Sequence, residues 1–367
     1  MVIAGYEYLD EKPCENVYLT GIVRDKQRRK MSKSLGNSPD PLDLIKQYGA
    51  DGVRTGMLFS SPAGNDLLFD EKLVEQGRNF SNKIWNAFRL VKGWETSSEA
   101  QPEINQQAIT WFTHKFNKAL GELEDHFSKF RMSDALMTAY KLVWNDFCSW
   151  YLEWVKPEYG KPIDQSTYHA TVDLFEKVLK ALHPFMPFIT EELWHELRER
   201  GEKEGIIVAS WPLAEPFDDE VLKQADTLFE ITSNIRNIRS SKGISPKESF
   251  ELVTSATTID AIGESLKKLA NVSEISNTEK PENAFSFVIG SDEFFVPASE
   301  NVDLEAERKK MEDELKRMIG FKTGVEKKLS NERFVNNAPE NVVAMERKKL
   351  EDADAKIKTL EESLASL

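Results

Sequence analysis

The amino-acid sequence predicts a mainly α protein with a small α/β share, and three observations carry that prediction. Apolar residues recur at helical spacing from about residue 70 to residue 200. The stretch that follows them holds short runs rich in β-branched and aromatic residues, as strands do. From residue 303 onward aromatics are few, charges are many, and apolar residues step by threes and fours. Four parts follow in chain order: 1–65 with a strand, a basic loop and a helix; 66–216, a helical bundle; 217–302, a small α/β module; and 303–367, an antiparallel coiled-coil hairpin.

In the first part, Val17, Tyr18, Leu19 and Thr20 run to Gly21 and predict one buried strand within 16–23. The loop RRKMSKSLGNSPDP spans Arg28–Pro41. Six basic side chains lie between Arg24 and Lys33, against the single acid Asp25. Unpaired ammonium groups are too costly to bury, so the loop is either solvated or built for something strongly negative. A helix start follows: Asp40 caps, Pro41 suits the first helical position, Asp43 lies in the first turn and Gly49 stops the helix. A basic loop between a strand and a helix is a usual place for a phosphate site.

Five amphipathic helices follow between about Asp70 and Arg200. Their apolar faces run through Phe80, Ile84 and Phe88, through Phe112, Phe116 and Leu120, through Leu136, Tyr140, Val143, Phe147, Tyr151 and Trp154, through Val172, Phe175 and Leu179, and through Ile189, Leu193 and Leu197. Breaks fall at Gly93 to Pro102, Arg131 to Ser133, Pro157 to Pro162 and the HPFMP turn, His183–Pro187, after which Thr190 is the expected cap. Trp144, Trp150 and Trp154 are expected in the core rather than as a stacking platform. Past Pro216, a helix bearing Leu228, Ile231, Ile235 and Ile238 leads to strands at ESFELVTS, VSEIS, AFSFVIG and EFFVPA, with a helix near 258–270. In the last part Leu315, Met318, Val325 and Leu329 form one seam and Leu350, Ala353, Ile357 and Leu364 another, around the polar interruption SNERFVNNAPEN.

Composition narrows the function classes. The formal charge of −14 does not suit a protein that coats nucleic acid indiscriminately, though it permits local basic patches. Two isolated cysteines, Cys14 and Cys148, make neither a disulfide framework nor a zinc site, and the five histidines show no metal spacing. No metal site, no membrane partner and no tightly bound cofactor are expected. The start MVIAGYEYLDEKP has no features of a signal peptide, so a cytoplasmic location is expected, and separately a monomer.

The residues Lys30-Met31-Ser32-Lys33-Ser34, followed by Leu35-Gly36-Asn37, resemble the second signature of class I aminoacyl-tRNA synthetases. The longer wording around them resembles the Ile/Leu/Val subgroup, and GIVRD, GRNFSNKIWNA and PFMPFITEELW are closest to its valyl branch. The resemblance implies a ligase that uses ATP with Mg²⁺ to join L-valine to tRNA(Val). It assigns Lys30, Lys33 and Ser34 to catalysis, with Lys33, Met31 and Ser32 meeting ATP. It also makes 1–65 the end of a Rossmann-type catalytic domain, the bundle an anticodon-binding domain, and the hairpin a tRNA-binding arm. Arg236, Arg239 and Lys242 on one helix face, and Lys327, Lys328, Arg333, Arg347 and Lys348 near the hairpin tip, become candidate tRNA contacts, although a solvated helix face explains the first group as well.

The family's first signature, His-Ile-Gly-His or a variant, does not occur here. The chain is therefore expected to be a C-terminal portion, inactive alone in aminoacylation and editing. The alternative is a free-standing tRNA-binding or assembly protein that retains the loop without using it.

Overall fold

The structure is a computed structural model, and it describes all residues except 20, 62–63, 279–280, 282–283, 298–303, 331–344, 351, 355–356, 358–363 and 365–367. Two compact units divide the chain, Met1–Leu222 and Lys223–Leu367.

The first unit opens with α1 (Val2–Leu9), β1 (Val23–Arg24), a 3₁₀ turn at Lys33–Leu35, α2 (Pro41–Tyr48) and α3 (Ala50–Phe59). The start of α2 follows the capping rule: the Asp40 side chain accepts from the Leu42 amide at 2.8 Å, and Gly49 ends the helix at φ 77°. β2 (Leu67–Leu68) pairs in parallel with β1. The expected strand within 16–23 is not formed. Val17, Tyr18 and Leu19 are exposed, and Thr20 lies outside the described residues. β-propensity expresses packing on a pleated surface, and among the described residues no strand lies beside Val17–Leu19 to provide one.

The helices of the bundle are α4 (Glu71–Lys92), α5 (Glu103–Ser128), α6 (Met132–Lys141), a π-helical segment Leu142–Tyr151 running into α7 (Leu152–Val155), α8 (Gln165–Leu182) and α9 (Pro187–Leu197). Two short strands, β3 (Thr96–Ser97) and β4 (Ile163–Asp164), pair in parallel between the helix ends. Phe80, Ile84, Phe112, Leu120, Phe147, Tyr151 and Phe175 are wholly buried between them. Each such side chain contributes about 2 kcal/mol of burial. The wide π turns displace the regular spacing read from Leu136 to Trp154, and Ser149 Oγ donates to the Trp144 carbonyl five residues back at 2.8 Å. Trp154 is buried as expected, whereas Trp144 and Trp150 are half-buried.

The loop-bearing segment is pressed directly onto the bundle. α3 and α4 approach so closely that a Cβ on Gly56 would lie 2.5 Å from Val74 Cα, and one on Gly77 would lie 2.4 Å from the Gly52 carbonyl oxygen. Glycine is required where two backbones meet in this way.

The second unit is built on α10 (Asp219–Lys242), whose start belongs to the first unit, with β5 (Phe250–Thr254), α11 (Ile259–Ala270), β6 (Val272–Ser276), β7 (Ala284–Ile289) and β8 (Asp292–Pro297). The sheet order is β6-β5-β8-β7: β5 and β6 are parallel through the α11 crossover, and β7 and β8 form an antiparallel hairpin. Leu252, Leu266, Phe294 and Val296 fill its core. α12 (Leu304–Leu329) follows, and the chain is helical again at 345–350 and 352–354. Lys322 pairs with Asp354 at 2.7 Å and Lys328 approaches Glu346 at 3.8 Å, so rising numbers on one segment meet falling numbers on the other. The turn expected between them, with Arg333, lies outside the described residues.

Candidate functional site

The basic loop is a folded object rather than a loose excursion. Residues 23–31 make a small antiparallel hairpin in which Asp25 N donates to the Arg29 carbonyl at 2.9 Å and Met31 N to the Val23 carbonyl at 3.0 Å. Arg28 takes a left-handed conformation at its tip, φ 64°. Beyond it, Ser32 starts the 3₁₀ turn: its Oγ accepts from Leu35 N at 3.3 Å and lies 3.2 Å from Ser34 Oγ. Gly36 closes that turn at φ 64°, a region where a side chain would be strained.

Two side chains tie the hairpin to the turn. The Asp25 carboxylate accepts from Gln27 N (3.0 Å), Arg29 N (2.9 Å), Arg29 Nε (2.8 Å) and Asn37 Nδ2 (3.0 Å). Asn37 also donates to the Lys30 carbonyl (3.2 Å), and its Oδ1 accepts from Ser32 N (2.9 Å). The Asn37 bond, followed by those from Arg29, lowers the Asp25 carboxyl to about 2, so it is an anion throughout the neutral range.

The six basic groups divide into two sets. Arg24 pairs with Asp66, Lys26 with Asp70 at 3.3 Å and Arg29 with Asp25 at 2.8 Å. Arg28, Lys30 and Lys33 have no ion pair among the described residues, and all three are exposed. Ser34 is exposed beside Lys33, while Met31 and Ser32 are half-buried beneath it. The arrangement presents free ammonium charge on a fixed backbone, which suits recognition of a polyphosphate.

A polar link anchors the start of α3. The Asp51 carboxylate accepts from Ile189 N at 2.7 Å and Phe188 N at 3.3 Å, and so caps α9 from outside; Arg54 donates to the carbonyls of Phe185 and Pro184. Burial pushes the Asp51 carboxyl up, against the pull of the two amides. Thr190, the expected cap, is instead inside the helix, where its Oγ1 donates to the Met186 carbonyl at 2.7 Å and meets His183 Nδ1. Pro187 at the first helical position leaves no amide for a local cap there, and Asp51 reaches the next two.

The candidate tRNA contacts are distributed unevenly. Arg239 is 5% exposed, with NH1 donating to the carbonyls of Ser245 and Glu248 and NH2 to those of Ala270 and Asn271; its guanidinium lies 4.1 Å from the Phe250 ring centroid. It holds the second unit together, its guanidinium committed to these four carbonyls. Arg236 is exposed and donates to the Leu269 carbonyl, and Lys242 lies over the Phe285 ring. Lys327, Lys328, Arg347 and Lys348 are exposed.

The sequence reading passed over one surface. A groove of about 600 Å³ at the end of α4 is lined by Arg89, Trp94, Lys156, Tyr159 and Lys161. Tyr159 is fully exposed, and Lys161 pairs with Glu158 at 2.6 Å. An exposed tyrosine and a half-buried tryptophan among cations suit a nucleotide base. Residues 94 and 159 are far apart in sequence and share no repeat, so only the fold joins them.

Three family models match this chain: tRNA synthetases class I (I, L, M and V) over residues 1–70, the anticodon-binding domain of tRNA ligase over 110–254, and the valyl tRNA synthetase tRNA binding arm over 303–367. The chain is 55% identical to a valine–tRNA ligase of Christiangramia forsetii, covering 100% of this chain and 42% of that protein. Identity is 54% with the valine–tRNA ligase of Bacteroides fragilis and 35% with that of Fusobacterium nucleatum, again over 100% of this chain. The chain spans less than half the length of these relatives.

Proposed function

On the premise that the chain belongs to the valine–tRNA ligase family along its whole length, we propose that it supplies the phosphate-binding loop and the tRNA-binding parts of a ligase that uses ATP to join L-valine to tRNA(Val). In that reaction the valine carboxylate attacks the α-phosphate of ATP and pyrophosphate leaves. Lys33 meets the charge that grows on the departing phosphates, Lys30 adds a second cation, and Ser34 with Met31 and Ser32 completes the loop around the nucleotide. Stabilisation of this kind acts through charge already in position when the transition state forms. Mg²⁺ enters with the nucleotide as MgATP and is part of the substrate.

The domains follow the same reading: 1–65 ends the catalytic domain, 66–216 binds the anticodon, 217–302 is a connecting module, and 303–367 is a coiled-coil arm on the tRNA. The groove at the end of α4 is where we place an anticodon base. Lys327, Lys328, Arg347 and Lys348 are the arm's phosphate contacts, with Arg236 and Lys242 as secondary ones. A cytoplasmic setting goes with that role, and no helix among the described residues is long and apolar enough to cross a membrane. Aminoacylation is assigned to the full-length ligase.

The observation that carries the proposal is the pair of exposed ammonium groups of Lys30 and Lys33 on a fixed turn, with no ion pair among the described residues. Lys33→Ala in the full-length ligase is expected to slow adenylate formation about 10²–10³-fold, the scale for losing one such donor. Single-turnover adenylate formation at the unaltered rate would overturn the assignment.

A further inference from the structure

We infer that Asn37, held by the Asp25 carboxylate, is a positioning residue for adenylate formation: it fixes the backbone of the turn that carries Lys33, and touches no substrate itself. The inference rests on the ATP-loop reading above.

The 23–31 hairpin has its own backbone bonds, Asp25 N to Arg29 O and Met31 N to Val23 O, and does not need Asn37 to form. What Asn37 adds lies beyond the hairpin. Its Oδ1 takes the Ser32 amide, and its Nδ2 takes both the Lys30 carbonyl and Asp25 Oδ2, so one side chain grips the backbone on either side of Met31. Ser32 in turn caps the Lys33–Leu35 turn, which Gly36 closes. The Lys33 backbone is thereby set from both directions while its ammonium stays exposed and unpaired among the described residues.

The chemistry of the pair is matched. A carboxylate only accepts, and an amide side chain both accepts and donates. Asp25 can therefore anchor Asn37 only through the Asn37 Nδ2 hydrogens, and Asn37 alone of the two can take an amide and a carbonyl together. An ordered turn places Lys33 before charge develops, so no reorganisation is needed when the transition state forms. Misplacing such a group by about 1 Å costs on the order of 10²-fold in rate.

The test uses ATP–pyrophosphate exchange by the full-length ligase, together with amide hydrogen exchange at Ser32. Asn37→Ala is expected to lower kcat about 10²-fold while leaving KM for ATP nearly unchanged, because Lys33 still attracts the nucleotide but is no longer set for the transition state. Protection of the Ser32 amide is expected to fall in the same variant. Asn37→Asp keeps the acceptor for Ser32 but loses both donors and faces Asp25 with a like charge, so it is expected to be at least as slow. Adding Asp25→Asn to Asn37→Asp returns one donor–acceptor pair and should recover about tenfold. If Lys33→Ala slows exchange while Asn37→Ala leaves kcat intact, the positioning role is wrong and the loop reading stands. If Lys33→Ala also leaves exchange intact, the loop reading itself fails. A matched loss of kcat and of thermal stability in Asn37→Ala, with no recovery in the double variant, would reduce Asn37 to a folding contact and overturn the inference.

Discussion

Substituting Arg239 by alanine removes four hydrogen bonds from carbonyls that close the small α/β module, those of Ser245, Glu248, Ala270 and Asn271. Buried acceptors left without a donor cost about 1–3 kcal/mol each, and partial access of water to the turn limits the total, so the module is expected to lose about 3 kcal/mol in urea unfolding. Lysine at that position restores charge but not the fork, and recovers only part of the loss. A variant with unaltered unfolding but weaker tRNA binding would return Arg239 to the nucleic-acid surface. Its role was not legible in sequence, because a basic residue on a helix face reads as solvated until the turn at 243–248 and the end of α11 are folded against it. The acid count near the loop misled in the same way. Asp25 is the one acid close in sequence, yet Asp66 and Asp70 neutralise Arg24 and Lys26 from 42 and more than 40 residues away. The five-residue loop signature itself was legible, because its residues are contiguous; its support from Asn37 was not, because an asparagine after a glycine reads as ordinary turn chemistry.

At the scale of elements, α2 was legible from its cap, and α4, α5 and α8 from 3.6-residue spacing, since each of these three buries one face against neighbours. The π segment was not, because steps of three and four describe it as well as they describe an α-helix. The start of α9 was misplaced because its cap, Asp51, comes from 137 and 138 residues away in sequence. α4 also sets the spacing of the two candidate sites. Its first turn lies beside the loop through the Lys26–Asp70 pair, and its last turn lines the groove with Arg89. Its 22 residues separate the two ends by about 33 Å. A base stacked on an aromatic side chain contributes about 1–3 kcal/mol, so Tyr159→Ala and Trp94→Ala are each expected to weaken tRNA(Val) binding by about 1–3 kcal/mol with helical content unchanged. Circular dichroism and filter binding check both halves, and unaltered affinity in both variants would exclude the groove.

On the scale of the whole molecule, the net charge of −14 and the presence of tRNA-binding family models are compatible because the basic groups are local. Two of the three family models cover the ends of the chain, and the third lies across α5 to β5. The central claim is that these parts together recognise tRNA(Val) specifically, beyond attraction to phosphate. A filter-binding titration of the chain with tRNA(Val) and with a non-cognate tRNA, over a series of salt concentrations, tests it most directly. Both affinities fall as salt rises, since phosphate contacts release counterions. The account predicts that tRNA(Val) stays at least about tenfold tighter across the series, the gap that base-specific contacts leave behind. Equal affinities for the two tRNAs at every salt concentration would contradict it.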